Sequence, residues 1–154
     1  MNEAVVAGSI AVATLNLLPG LIGLLAYYLG DTSGTLAKAF WLLLRVGQGG
    51  ALTLAVAVGS LAAAGNFSTD RLFYLYALLP LAIAFMAEQL RAASAQMVLD
   101  QRGLEGSTAV AALPEGEQHE LVGAIVRREI GVMAVSALVV VFLALRAAGT
   151  AHGF

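Results

Sequence analysis

The stretch AFMAEQLRAASAQ, Ala84 to Gln96, sets the terms for the whole chain. An apolar run arrives from Phe73, and Glu88, Gln89, Arg91 and Gln96 then follow within three turns. Neither Gly nor Pro stands in the stretch, so nothing ends a helix where the polar residues begin. A helix that turns polar without stopping is passing from one solvent into another.

Composition names the first solvent. Of 154 residues, 60% are hydrophobic and only 12% charged, with a mean hydropathy of +0.87. A soluble domain carries about 25% charged residues, because its surface faces water. Polar surface is too scarce here to cover a globule, so the apolar runs are expected to lie in lipid. A net charge of -2 gives no electrostatic basis for a nucleic-acid partner. With no cysteine, disulfides, thiolate catalysis and thiolate metal sites are excluded together. One Lys stands against seven Arg, amid abundant Ala, Gly, Val and Leu, which points to a GC-rich bacterial genome.

Four runs are expected to span: residues 4–29, 38–64, 71–90 and 129–148. The first is broken by Asn16 and by Pro19, which removes a helical hydrogen bond and predicts a kink. No charged leader precedes it, so it is read as a retained anchor. GDTSG (Gly30 to Gly34) and AGNFSTD (Ala64 to Asp70) are turns by composition, and Thr69 or Asp70 can cap the third helix. That helix should continue to about Gln101 and close at Gly103. Pro114, Glu115 and Glu117 suit the start of the last helix, where carboxylates meet the positive end of the dipole.

Lys38, Arg45, Arg91, Arg102, Arg127 and Arg128 fall on the side of the first and third connections, against Arg71 and Arg146 on the other. Six against two places those connections in the cytoplasm and both termini outside. Residues 91–128 then form a cytoplasmic helical hairpin. The fold class expected is all-α: one integral membrane domain over 1–154, a four-helix transmembrane bundle with its third and fourth helices extended out of the bilayer. The expected location is the bacterial cytoplasmic membrane.

Two sets of residues stand out. Gly47, Ala51, Ala55, Gly59 and Ala63 recur every fourth position on the second helix, a row that lets another backbone come close, within the chain or between copies. At the cytoplasmic edge, Arg45, Gln48, Glu88, Arg91, Arg127, Arg128 and Glu129 reach one depth. Charges at this level can staple helices, and Glu88 is expected to pair with an Arg of the second or fourth helix. Several Arg beside an apolar cleft also suit the head of an anionic amphiphile. A proton path is disfavoured, because no acidic residue lies deeper in a span.

His119 and His152 lie outside the spans, and HExxH and Cys-rich patterns are absent from the sequence, so neither metal nor cofactor is expected. In layout the chain resembles the small four-span enzymes of the eicosanoid and glutathione metabolism superfamily. Those have about this length, outward termini and a cytoplasm-facing site between subunits. Of that family's second-helix pattern, RVGQGGAL supplies only Arg45 and an amide, Gln48, three residues on, and lacks the Glu, so the activity is not carried over. The function expected is non-catalytic: a small assembly or accessory membrane protein, with the bilayer and a membrane-complex partner or further copies of itself as its associates. The competing expectations are an enzyme or carrier for an anionic lipid at the cytoplasmic leaflet and an oligomeric channel.

Overall fold

The computed structural model describes residues 2–104 and 106–152, and within them every regular element is helical. The helices are α1 (Asn2–Leu29), α2 (Thr35–Ala63), α3 (Arg71–Gln101), α4 (Gly106–Ala111) and α5 (Glu115–Thr150). Four of them, α1, α2, α3 and α5, are long and apolar enough to cross a membrane. At 1.5 Å per residue, α3 and α5 run to about 46 and 54 Å, well beyond an apolar core of roughly 30 Å. The short α4 falls in a segment whose sequence suggested only a connection.

Local chemistry sets the ends. Gly30, Gly65 and Gly103 take positive φ just past α1, α2 and α3, a conformation that costs glycine little. Asp31 turns the first corner: its carboxylate accepts from the backbone N–H of Gly34 at 2.6 Å and of Leu36 at 3.0 Å. Asp70 caps α3 by accepting from Leu72 N–H at 2.9 Å. Both Pro19 and Pro80 lie buried inside helices, and each removes one i→i−4 bond.

α1 packs along both α2 and α5, α3 packs along α5, and α2 meets α3 only sparsely. Two apolar clusters form. One gathers Val12, Leu54, Val58, Phe73, Ala77 and Val140; the other, towards the opposite ends of the helices, gathers Ala26, Phe40, Leu44, Ile130 and Met133. Along both α1 and α2 the switch between clusters falls at a polar contact. Asn16 Nδ2 donates to Val12 O at 2.9 Å and to Gly47 O on α2 at 3.3 Å. A Cβ on Gly47 would sit 2.8 Å from Asn16 Oδ1, so only glycine leaves room for this amide.

The five-residue row on α2 does not keep to one packed face. Gly47, Ala51 and Ala55 are buried, whereas Gly59 and Ala63 are exposed. Steps of four residues advance about 40° beyond a full turn, so the row has drifted about 120° by Gly59 and about 160° by Ala63. Val58 is eleven residues from Gly47, only about 20° off its direction, and is buried in its place.

Candidate functional site

The polar residues near the ends of the apolar segments resolve into three arrangements, not one. The first is an ion-pair network across α2 and α3. Arg45 Nη1 meets Glu88 Oε1 at 2.8 Å and also donates to Gln48 Oε1 at 2.8 Å. Arg91 Nε lies 3.2 Å from Glu88 Oε2. One carboxylate thus holds two guanidinium groups, one from its own helix and one from α2. Arg91 lies over the Trp41 ring at 5.5 Å, adding a second tie from α3 to α2. Glu129 on α5 is within electrostatic reach of both Arg91 and Glu88. The network therefore joins α2 to α3 where apolar packing between them is thin.

The second arrangement closes α1. Arg127 Nε donates to Tyr27 O at 2.9 Å, and its guanidinium stacks 4.9 Å above the Tyr27 ring. Tyr27 O belongs to the last turn of α1, at the negative end of the dipole, and otherwise accepts only a long bond from Gly30 N–H at 3.4 Å. A cation here satisfies both.

The third is a groove. Arg128, roughly 100° around α5 from Arg127, points to the α3 side, and its Nη2 meets Met97 Sδ at 2.7 Å. It stands at one end of a cavity of about 610 Å³ between α1, α3 and α5. Leu24 and Tyr28 line it from α1, Ile83 and Met86 from α3, and Val132 and Val135 from α5. A second cavity of about 440 Å³ lies between α1 and α2 and is lined by small and apolar side chains with Thr53 as its one hydroxyl. That hydroxyl already donates to Gly49 O.

Beyond the apolar segments α3 and α5 stay paired. Val98 and Leu121 are buried and Arg102 Nη2 contacts Glu120 Oε1 at 3.0 Å. At the opposite end of the molecule the His152 carbonyl accepts from Ser68 Oγ at 2.9 Å and from Thr69 N–H at 3.0 Å, tying the α2–α3 turn to the end of α5. His119 is exposed in the first turn of α5, with Nδ1 at 3.0 Å from Glu115 O. Tyr27 and Tyr28 were not singled out in the sequence, although an aromatic pair one residue from a span's end is an interfacial signal.

Comparison with protein-family models, with curated proteins and with solved structures finds no match to this chain. The layout resemblance to the four-span glutathione-pathway enzymes thus gains no support from family models. Locally, Arg45 is paired with a carboxylate of α3, Glu88, and not with one on α2.

Proposed function

We propose that the chain is a multi-pass membrane protein without catalytic machinery of its own, an assembly or accessory subunit that meets a partner through the ends of α3 and α5. The observation that carries this reading is the continuation of both helices, still packed on each other, well past their apolar segments. In the bilayer frame set by the Arg and Lys distribution, residues 91–128 stand in the cytoplasm as a hairpin and the α2–α3 turn lies outside. Val122 is exposed on this projecting part, where neither lipid nor core would cover it. Glu88 is engaged with two guanidinium groups, which suits a staple better than a general base.

The test is site-specific photo-crosslinking in native membranes. A photoreactive residue at Val122 should give one discrete protein adduct, while the same residue at Phe142, exposed within the apolar part of α5, gives lipid adducts. Quenching by water alone at Val122 defeats the reading.

A further inference from the structure

Among the described residues, Arg128 has no carboxylate partner. The ion pairs among the described residues are Arg45–Glu88, Arg91–Glu88 and Arg102–Glu120, and none involves Arg128. Its contact is the Met97 thioether, a weak acceptor, so most of its five N–H donors remain for another group. Beside this head lies the apolar groove. Its volume of about 610 Å³ falls among those of ligand pockets, roughly 300–1,000 Å³. Along α5 it runs from Arg128 to Ser136, about 12 Å of helix.

The groove is shaped, not merely vacant. Gly131 forms part of its floor, and a Cβ there would fall 3.0 Å from the Tyr27 ring. Tyr27 is itself fixed by Arg127, through its carbonyl and through its ring. The wall of the groove therefore stands on a built contact. Ser136 spends its hydroxyl on Met133 O at 2.8 Å, leaving the deep end without a free donor. One end thus offers an unpaired guanidinium and the rest offers hydrocarbon. Of its lining, Met86, Leu90 and Val135 are exposed, so the groove opens sideways onto the apolar belt of the molecule.

We propose that this groove binds an anionic phospholipid from the surrounding leaflet. Its phosphate sits on the Arg128 guanidinium, which matches phosphate oxygens in bidentate fashion. One acyl chain lies along Gly131 to Val135 between α1 and α3. The proposal needs α1, α3 and α5 to span a bilayer, and it is independent of whether the hairpin has a partner.

The experiment reconstitutes the full chain into vesicles of equal phosphatidylcholine and phosphatidylglycerol, extracts it gently, and counts retained lipids by native mass spectrometry. The parent should retain phosphatidylglycerol in several-fold excess. Arg128→Gln should bring the ratio close to one, and Arg128→Lys should restore part of the excess. Val135→Trp should lower both lipids by filling the groove; if that variant does not fold, Met86→Trp blocks it from α3. Arg146→Gln, at the other end of α5, should keep the parental ratio. The proposal is overturned if Arg128→Gln keeps the excess, if the Trp variant retains parental lipid, or if Arg146→Gln loses the excess as fully, which would show diffuse attraction to a charged bilayer.

Discussion

Replacing Glu88 by Gln removes the one carboxylate that holds both Arg45 and Arg91. The size of the effect follows from exposure. The Arg45 side chain is 54% exposed, Arg91 33% and Glu88 28%. A surface pair contributes about 0.2–1 kcal/mol, whereas breaking a buried pair costs about 3–5 kcal/mol. These groups lie nearer the surface limit, and Arg45 keeps its bond to Gln48. Two such pairs together are worth about 1–2 kcal/mol after this discount. For a chain of this size, 1 kcal/mol moves the melting temperature by roughly 2–4 °C, so Glu88→Gln should lower it by about 2–8 °C. Glu120→Gln is the control, because Glu120 is 73% exposed in a single pair, and its loss should go almost unseen. The assay is thermal unfolding in mild detergent, with a double-mutant cycle on Arg45→Gln and Glu88→Gln to isolate their coupling. An unchanged melting temperature would refute the staple. A fall beyond about 10 °C would refute the surface-like energetics instead.

Other consequences are as direct. Gly47→Leu should prevent folding, because even a Cβ there meets Asn16, while Gly59→Leu should leave the stability of the chain within about 0.5 kcal/mol; equal tolerance of both in thermal unfolding contradicts the packing. Asn16→Ala should destabilise by about 1 kcal/mol, the scale of one interhelical hydrogen bond in a membrane, and an unchanged melting curve argues against the Gly47 contact. The chain has no native cysteine, so cysteines at positions 102 and 120 should crosslink with a short reagent, since those side chains meet at 3.0 Å. A pair at Arg102 and Arg127 should crosslink far less, and equal yields would show that the two helix ends are not held in register.

Helix limits were legible because their signals are local. Gly30, Gly65 and Gly103 mark the ends with positive φ, and Asp70 caps α3 with its own carboxylate. The Glu88–Arg91 pair is equally local, three residues apart on one helix. The sequence narrows the other partner of Glu88 to an Arg of the second or last span; that it is Arg45 depends on how α2 and α3 settle against each other. The same holds for Arg127 and Arg128: adjacency puts them on different sides of α5, but only packing sends one to Tyr27 and the other to the groove. The row of small residues on α2 divides between two faces for a geometric reason. A period of four drifts around a helix of 3.6 residues per turn, so three members pack and two face outward. The groove itself left no trace in any single stretch, since it needs the rotations of α1, α3 and α5 together.

Topology is the most exposed point, since the hairpin, the staple and the lipid groove all take their frame from it. The measurement is labelling of single cysteines in intact cells with a membrane-impermeant maleimide. Phe67→Cys lies in the α2–α3 turn, where Phe67 is 61% exposed, and Ser107→Cys lies on the exposed surface of α4. The distribution of Arg and Lys predicts that position 67 labels in intact cells and position 107 only after permeabilisation. The reverse pattern would contradict the orientation, and labelling of both in intact cells would contradict a membrane crossing by α3.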